Sequence, residues 1–342
     1  MSFRGIAIPL TLLTVVALTA AEAEAAPVIS VNGQDFESWG EYFASDTFRQ
    51  IGRCKTPHEA DPMRASALPP SDCSTSFTNP AAEYAPGVNM YEIPVWVHIM
   101  HMTDGTGNIS DARVESQIQV LNEDFMAIAG SLGENGTPAL IRFTLAGITR
   151  TANDQWHADQ GTYYDTLAQD PNKFMNIYVC NPGGALGYVP FLPNGAPSLV
   201  GQNIDRVVIL FAAFGVPGTA TNYDLGRTAT HEVGHYLGLL HPFPSSPSCD
   251  SGSSPACYSN GDLICDTNPQ DIDLYGCPST STRCGSDDPL DNYMSYTDDL
   301  CMEQFTNEQI RRMRCTIQHY RPALTTAVPT VTSSWSRIKG TY

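Results

Sequence analysis

Residues 231–241 read HEVGHYLGLLH, and this stretch decides which fold the chain must build around it. On an α-helix, His231 and His235 stand one turn apart on the same face, so that both imidazoles can bind one metal ion. Glu232 lies between them, where its carboxylate can act on a water molecule rather than on the metal. The stretch therefore predicts a helix that carries a metal site.

The continuation of the motif separates it from a chance match, because a bare HExxH pattern can arise on any amphipathic helix. Gly238 lets the chain leave the helix sharply, since glycine tolerates a positive φ, and the bend brings His241 round as a third ligand. Three protein ligands leave one position open at zinc, which is typical of a catalytic site. We predict a catalytic zinc ion bound by His231, His235 and His241, with Glu232 as general base.

A second motif, NYMSY at residues 292–296, follows about fifty residues after His241. A single methionine usually fills a hydrophobic core. Here Met294 stands in a turn-like context downstream of the long histidine motif, as does the Met-turn of metzincin peptidases. Met294 is therefore predicted to form the floor beneath the zinc site.

The composition indicates an exported, acidic protein. The 342 residues carry a formal net charge of −18, which argues against binding to nucleic acid. A positive start, an apolar run over residues 6–20 and small residues after it predict a signal peptide over residues 1–25. No later stretch has the length of a transmembrane helix, so we expect a secreted protein without a membrane partner. In an exported chain, the ten cysteines are expected to form disulfides.

The hydrophobic pattern predicts an α+β fold in two halves. The upper half is a mixed β-sheet subdomain with a backing helix after Ser110 and the zinc-binding active-site helix from about Thr228. The lower half is an irregular, disulfide-rich subdomain with the Met-turn and a C-terminal helix over residues 307–319. The cleft between them should hold zinc and substrate. The predicted strands cover residues 92–102, 141–149, 174–180 and 206–211.

Composition shifts set the predicted boundaries. Residues 26–85 are polar, with Pro and Ser clusters and little periodicity, and are interpreted as a pro-segment and linker. The catalytic domain is expected over residues 86–322. Residues 323–342 are rich in Thr and Ser and are expected to be a flexible tail.

These motifs in this order resemble the pappalysin family of metzincin zinc endopeptidases over about residues 90–320. The resemblance implies a secreted zinc metalloendopeptidase that hydrolyses protein or peptide substrates, and we expect a monomer. Three departures from the family pattern are Pro242, Asn268 and Ser295, none of which removes a zinc ligand or the glutamate. The further motifs that carry the resemblance are LGY at 186–188, GRTAT at 226–230, GDLICDT at 261–267, CM at 301–302 and FT at 305–306.

The resemblance implies roles for two residues that follow Met294. Tyr296 would donate a hydrogen bond to the tetrahedral intermediate, and the alternative is an ordinary core tyrosine. Asp299 would lie at the base of the S1′ pocket and select Arg or Lys directly after the scissile bond, because an unpaired buried carboxylate is costly. The alternative is that Asp298 and Asp299 both face water. We expect cleavage on the N-terminal side of Arg or Lys.

The resemblance also implies a calcium ion, held by Asp262, Thr267 and the carbonyl of Cys265, that stiffens the wall of the S1′ pocket. Oxygen ligands clustered on a loop suit calcium. The alternative is an acidic turn without a cation.

Latency is implied by the sequence RCKTP at residues 53–57, which is similar to an Arg-Cys-Gly-Thr-like motif in family zymogens. The Cys54 thiolate would fill the open position at zinc, so that the chain's own pro-segment acts as inhibitor. Here Lys55 replaces the glycine. The alternative is a Cys54–Cys73 disulfide.

Autocatalytic processing that obeys the Asp299 rule would cut at Met63–Arg64 or later. Arg64 is the only basic residue between Lys55 and Tyr91. Among the cysteines, the resemblance implies a crossed pair of disulfides, Cys257–Cys284 and Cys277–Cys301. The cysteines left over would then pair as Cys249–Cys265 and Cys180–Cys315.

A different class of function remains as an alternative, a catalytically inactive secreted binding or adhesive protein that keeps zinc on a protease fold. Glu232, the three histidines, Met294 and Tyr296 are all present, so no residue argues for inactivity.

Overall fold

The computed structural model describes residues 29–57, 82–87, 89–193, 199–243, 249 and 262–329. The predicted signal peptide over residues 1–25, the Met63–Arg64 bond, Cys73 and Cys257 lie outside these residues. In chain order, the strands and helices are β1 (Ile29–Val31), β2 (Gln34–Phe36), α1 (Trp39–Ala44), α2 (Asp46–Ile51), β3 (Asn89–His101), α3 (Asp111–Met126), β4 (Ile141–Ala152), α4 (Asp154–His157), α5 (Tyr163–Leu167), β5 (Met175–Cys180), β6 (Gly187–Tyr188), β7 (Val207–Leu210), α6 (Arg227–Tyr236), α7 (Asn307–Tyr320) and β8 (Thr326–Pro329).

A mixed sheet organises the domain, as the hydrophobic pattern predicts. Its order is β4-β3-β5-β7-β6, in which β4, β3, β5 and β7 run parallel and β6 runs antiparallel to β7. All six residues of β5 are buried, because a central parallel strand is covered on both faces. β6 stands last in the strand order and is therefore an edge strand. It lies beside α6, the helix that carries the HEVGH motif.

Two helices pack on one face of this sheet. Ser110 caps α3 by accepting a hydrogen bond from the backbone N–H of Arg113, as the sequence predicts. The apolar stripe of α3 packs into the main core together with α6, in which all ten residues are buried. α7 begins with a capping box formed by Thr306 and Gln309. Residues 262–306 contain no α-helix and no extended strand, in agreement with the predicted irregular segment.

The N-terminal segment is more ordered than its polar composition indicated. β1 and β2 pair antiparallel, and Ser38 and Ser45 cap α1 and α2. The aromatic residues of these short elements, Phe36, Tyr42, Phe43 and Phe48, form a second core with Tyr223. The interpretation of residues 26–85 as a pro-segment and linker stays a prediction, but the sequence analysis did not predict the short strands and helices over residues 29–51, because helices of six residues leave no long periodic pattern.

The expectation of a flexible tail over residues 323–342 was wrong for residues 326–329. These residues form β8, which pairs antiparallel with Asn89–Glu92 of β3. β5 pairs with β3 only from Val95 onward, so the start of β3 offers free backbone groups to the tail.

The disulfides confirm one predicted pair and correct the others. Cys277–Cys301 is present, whereas Cys284 is bonded to Cys249, so the pairs Cys257–Cys284 and Cys249–Cys265 were wrong. The pair Cys180–Cys315 was also wrong. Cys180 is a free thiol that is buried with Tyr163 and Tyr178, whereas Cys315 is disulfide-bonded and packs against Tyr84 in a separate cluster.

Candidate metal centre and active site

The three predicted histidine ligands converge on one point. The Nε2 atoms of His231, His235 and His241 lie 3.0–3.1 Å from one another, and all three side chains are buried. Gly238 makes this possible with φ +94°, and a Cβ at this position would lie 2.6 Å from Thr316 Oγ1 on α7. A glycine is therefore required for both the turn and the close contact with α7.

The orientation of the imidazoles fits a cation. The Nδ1 atoms of His231 and His235 lie 2.8 Å from the carbonyl oxygens of Tyr293 and Leu239. Since a carbonyl only accepts, both Nδ1 atoms carry the proton, and both Nε2 atoms present lone pairs to each other. Lone pairs at this distance repel unless a positive ion lies between them. Zinc with bonds of about 2.0–2.1 Å would place tetrahedral ligand atoms about 3.3 Å apart.

Met294 lies directly beneath the ligand helix. It is fully buried, and a Cβ added at Gly234 would lie 2.5 Å from its sulfur. Gly234 stands between the two helical histidines, so the methionine packs against α6 at the level of the metal site. The predicted floor is thus formed by contact with the helix backbone.

Glu232 is fully buried and faces the edge strand β6. A Cβ at Gly187 would lie 2.8 Å from Glu232 Cγ, so this strand can approach the carboxylate only with glycine here. Burial raises the pKa of Glu232 to about 8. Its Oε2 accepts hydrogen bonds from Cys54 at 3.3 Å and Thr56 at 3.1 Å. The predicted general base is therefore covered by two residues of the N-terminal segment.

Cys54 lies among the three histidines. Its sulfur and the three imidazole nitrogens all fall within 4.8 Å of one another, and this is the one group of its kind among the described residues that could hold a metal ion. The thiol is free and buried, so the alternative Cys54–Cys73 disulfide was wrong. Burial, followed by the charge of Glu232, raises the pKa of the Cys54 thiol in the absence of a metal ion. The position suits a fourth ligand.

Residues 53–56 lie along β6 as an added strand. The backbone N–H of Leu186 donates to the carbonyl of Arg53 at 2.8 Å, and the N–H of Lys55 donates to the carbonyl of Gly187 at 3.1 Å. The bridge between Cys54 and Gly187 is parallel. Val189 N–H donates to Thr56 Oγ1 at 2.9 Å. The segment therefore covers the edge at which an extended peptide could add.

Asp299 is fully buried, so the alternative that Asp298 and Asp299 both face water was wrong for Asp299. One carboxylate oxygen accepts from the backbone N–H groups of Leu225 and Arg227 at 3.0 and 3.1 Å, at the start of α6. The other accepts from the guanidinium of Arg53 at 3.1 Å. Burial raises the pKa of Asp299, and the charge of Arg53 opposes this shift.

The Arg53 side chain fills the space in front of Asp299. It is 1% exposed, its guanidinium donates to the carbonyl of Thr297, and it stacks 5.0 Å over the ring of Tyr223. A planar cation thus meets a carboxylate, a carbonyl and an aromatic face in one buried pocket.

Tyr296 closes the site opposite β6. Its ring packs edge-on against His241, with centroids 4.9 Å apart, and its hydroxyl donates to the carbonyl of Cys54 at 3.2 Å. The Tyr296 ring therefore packs beside the histidines and its hydroxyl binds the Cys54 backbone, while its role as a donor to the tetrahedral intermediate stays a prediction.

A buried network that the sequence did not indicate supports the ligands from behind. Asp124 on α3 accepts from Arg227 at 3.1 Å, Thr230 at 2.6 Å and the Tyr293 hydroxyl at 3.0 Å. Tyr293 in turn binds His231 through its backbone carbonyl. Burial raises the pKa of Asp124 to about 6. Arg227 and Thr230 belong to the GRTAT stretch, but nothing in the helical pattern of α3 marks Asp124.

The predicted calcium loop holds buried oxygens with few protein partners. Asp262 and Thr267 are buried, and the Thr267 side chain lies close enough to Asp262 to lower the pKa of its carboxyl, whereas no hydrogen bond from a described residue reaches Gln270 Oε1. Asp262 Oδ1 accepts from the N–H of Ile264 at 3.1 Å. Burial raises the pKa of Asp262 to about 7. Oxygen donors of this kind fit a hard cation.

Comparisons with known proteins agree with this geometry. Residues 162–318 match the model of the peptidase family M43, described as "Pregnancy-associated plasma protein-A". "Extracellular metalloprotease 1" of Coccidioides posadasii is 35% identical over 67% of this chain and 78% of its own length. "Extracellular metalloprotease" of Pyricularia oryzae is 32% identical over 79% and 89%, respectively.

Two solved structures from Tannerella forsythia share the fold. A promirolysin variant matches 80% of this chain and 100% of its own, with 31% identity and a TM-score of 0.62. Mature mirolysin in complex with a cleaved peptide matches 70% of this chain and 100% of its own, with 36% identity and a TM-score of 0.56. None of the helices in the described part of the chain has the length and apolar character needed to cross a membrane.

Proposed function

This chain belongs to the pappalysin family of metallopeptidases, M43, and on that premise we propose that it is a zinc endopeptidase, made as a latent zymogen, that cleaves before Arg or Lys. It is an extracellular metallopeptidase, as are the proteins it matches. The convergence of His231, His235 and His241 on one point carries the proposal. A zinc ion held by these three histidines would supply a Lewis acid and would lower the pKa of a bound water molecule.

The chain's own residues do the rest of the chemistry. Glu232 takes a proton at one carboxylate oxygen and returns it to the leaving amine. The Tyr296 hydroxyl, released from the Cys54 carbonyl, donates to the oxyanion of the tetrahedral intermediate. No described residue favours the alternative of an inactive binding protein.

Latency rests on residues 53–56. Cys54 would be the fourth ligand of the zinc ion, and Thr56 binds Glu232 directly, so both halves of the proposed catalytic apparatus would be engaged at once. The proform of mirolysin matches a larger share of this chain than the mature protein does, which supports a pro-segment at the N-terminus. We infer that removal of this segment frees the metal, Glu232 and Tyr296 together.

Specificity for Arg or Lys rests on the Asp299 pocket. Arg53 already fills this pocket with a paired and stacked guanidinium, so a basic side chain fits it in size and in charge. An apolar side chain would leave the buried carboxylate without a cation, which is costly. A structural calcium ion at Asp262, Thr267 and the carbonyl of Cys265 belongs to the same proposal, supported by the burial of the Asp262 and Thr267 oxygens on one loop.

New N-termini produced from a proteome-derived peptide library, sequenced by mass spectrometry, test the specificity. The matured wild type and an Asp298→Asn control should cut with Arg or Lys as the first residue after the bond. Asp299→Asn should lose this preference, because its pocket no longer holds a carboxylate. If the wild type prefers apolar residues at that position, the chain is still a peptidase but Asp299 does not select Arg or Lys.

Maturation has its own test. If the chain processes itself at Met63–Arg64, Arg64→Ala should block the appearance of the N-terminus at residue 64 in the secreted protein. Unchanged maturation of Arg64→Ala would show that this bond is not the processing site.

A further inference from the structure

We propose that the loop after β5, residues 181–184, forms a second cation subsite that takes a lysine side chain on the side of the metal centre opposite Asp299. Its present occupant is Lys55. The inference rests on the proposed function, because it treats residues 53–56 as a stand-in for substrate. It extends that function with a second specificity determinant, one that reads the residues before the scissile bond.

The loop presents carbonyl oxygens to the ammonium group. Lys55 Nζ donates to the carbonyl of Pro182 at 2.6 Å and to that of Gly183 at 3.1 Å. Gly183 and Gly184 have φ of +64° and +96°, a backbone conformation that favours glycine, and it orients these carbonyls outward. A Cβ at Gly183 would lie 3.2 Å from Lys55 Nζ. The absence of a side chain therefore leaves room for the cation.

A carboxylate stands behind these carbonyls. Asp159 accepts hydrogen bonds from the hydroxyls of Tyr163 at 2.5 Å and Tyr188 at 2.9 Å. Desolvation at the loop lowers the pKa of Lys55, and the charge of Asp159 opposes this shift, although Lys55 as a whole residue is exposed. Arg206, which donates to the Tyr188 hydroxyl at 3.1 Å, balances part of the Asp159 charge. The carbonyls therefore fix the position of the ammonium group, and the negative charge of Asp159 makes the loop favour a cation over a neutral group.

The chain direction decides which substrate residue would reach this loop. In the zymogen, Arg53 lies in the Asp299 pocket, Cys54 lies at the metal site, and Lys55 follows on the far side. A substrate cut before Arg would place that Arg in the same pocket, and the residues that precede it across the metal. Residues 53–56 therefore run opposite to a substrate, and the Lys55 site faces the one or two residues before the scissile bond.

The same reversal explains why the segment is not cut where it lies. A substrate cut before Arg presents the carbonyl of the preceding residue to the metal. Here the carbonyl of Arg53 accepts from Leu186 N–H, and that of Cys54 accepts from the Tyr296 hydroxyl. Both carbonyls are bound by donors of the protein. The Cys54 thiol, rather than a carbonyl, lies among the three histidines.

The chemistry of the subsite discriminates between side chains of equal length. A set of acceptors favours the three donors of an ammonium group and repels the oxygens of glutamate. Norleucine has the same apolar stem as lysine but makes no hydrogen bond. A comparison of lysine with norleucine therefore isolates the carbonyls and Asp159 from simple packing along β6.

The primary experiment uses the full chain, secreted and matured, with peptides that keep Arg after the scissile bond. Lysine, norleucine or glutamate is placed at each of the two positions before the bond, and kcat/KM is measured. We expect lysine to exceed norleucine by roughly 10-fold at one of the two positions, with glutamate slowest. Equal rates for lysine and norleucine at both positions would overturn the subsite.

Two variants locate the effect. Asp159→Asn keeps an acceptor for the tyrosine hydroxyls and removes the charge, so the lysine-to-norleucine ratio should fall about 3-fold. Gly183→Ala fills the space in front of the carbonyls and should bring the ratio close to one. Asp170 is an exposed carboxylate paired with Lys173, and Asp170→Asn serves as the control. This variant should leave the lysine-to-norleucine ratio unchanged. The ratio is taken on one enzyme preparation, so partial misfolding does not alter it.

A binding measurement separates this inference from the specificity proposed above. A peptide of residues 51–57 is titrated calorimetrically into the matured protein, with Lys55 either kept or replaced by norleucine. About 10-fold weaker binding of the norleucine peptide supports the subsite even if no substrate is cut. A second outcome separates the two proposals. If substrates with Ala after the scissile bond are cut as readily as those with Arg while the preference for lysine persists, the proposed role of Asp299 is wrong and the lysine subsite is supported. Equal binding of the two peptides overturns the subsite.

Discussion

The two sides of the metal centre are held by different kinds of contact. On the side of α6, His231 and His235 are fixed by backbone carbonyls, and Asp124 ties the helix to α3 and to Tyr293. On the side of residues 53–56, the contacts fall on groups that a substrate would use. These groups are Glu232, Tyr296, Asp299 and the edge of β6.

In the proposed zymogen, this difference would let one chain carry a complete site and keep it inactive. The permanent side is satisfied within the domain, so it needs nothing from the pro-segment to stay in place. The removable side satisfies only side chains and edge groups whose partners are later exchanged for substrate. Latency therefore requires no distortion of the ligands, and activation requires no rebuilding of them.

The largest expected effect concerns Glu232, the proposed general base that residues 53–56 cover. Glu232→Ala should lower kcat/KM of the matured enzyme by about 10⁴-fold or more while zinc content stays the same, because it removes the proton acceptor and no ligand. Metal analysis and peptide hydrolysis measure both quantities. Glu115→Ala, an exposed change on α3, should leave both unaltered. A variant that retains a tenth of the activity would show that Glu232 is not the general base.

The removable side is tested by Cys54→Ser in the full chain. Loss of the thiol ligand should raise the activity of the unprocessed protein by about 10- to 100-fold, because serine is a poor zinc ligand. The comparison is the rate of fluorogenic peptide cleavage before any processing. Cys180→Ala removes the other free described thiol and should leave the protein latent. An unprocessed Cys54→Ser protein that stays inactive would assign latency to Arg53 and Thr56 instead.

A stability change should mark the network behind the ligands. Asp124→Ala leaves Arg227 buried without its carboxylate, which costs about 3–5 kcal/mol of unfolding free energy. Urea unfolding of the latent form measures this. Asp111→Ala, whose carboxylate is largely exposed, should cost less than about 1 kcal/mol. Similar losses for the two variants would mean that Asp124 contributes no more than a surface charge.

The smallest predicted effect concerns α7, which packs against the turn at Gly238. Thr306→Ala removes the capping box at the start of this helix and should lower the unfolding free energy by about 1 kcal/mol. The activity of the matured enzyme should change little, because Thr306 is neither a proposed metal ligand nor the proposed general base. Thr306→Ser keeps the capping hydroxyl and should restore the stability. A loss of activity with Thr306→Ala would show that α7 controls the position of His241.

Local patterns in the sequence were sufficient to predict the helices and strands that are long enough to show a repeated hydrophobic pattern. The mixed sheet, the backing helix with its Ser110 cap and the closing helix after Thr306 agree with their predicted positions. Short elements were missed, since α1 and α2 each span six residues and leave no periodic signal. β8 was missed because its pairing depends on a free stretch of β3 and not on its own Thr-rich composition.

Pairings between distant residues were predicted less well. One disulfide of the crossed pair is present, but Cys284 is bonded to Cys249 rather than to Cys257. Chain spacing does not determine which cysteines meet in a segment that lacks helices and strands. The same reason explains why Arg53 was not assigned to the Asp299 pocket, although both residues had been singled out.

The sequence by itself determined the cluster of His231, His235 and His241, the glutamate beside it and the methionine that packs against their helix. Their geometry follows from helical spacing and one glycine, which backbone physics fixes locally. Only the tertiary structure decided what faces this site. Arg53 meets Asp299 across 246 residues, and Asp124 meets Arg227 across 103. Such contacts arise when burial forces charged groups to find partners wherever packing brings them, and no local rule states in advance which partners these will be.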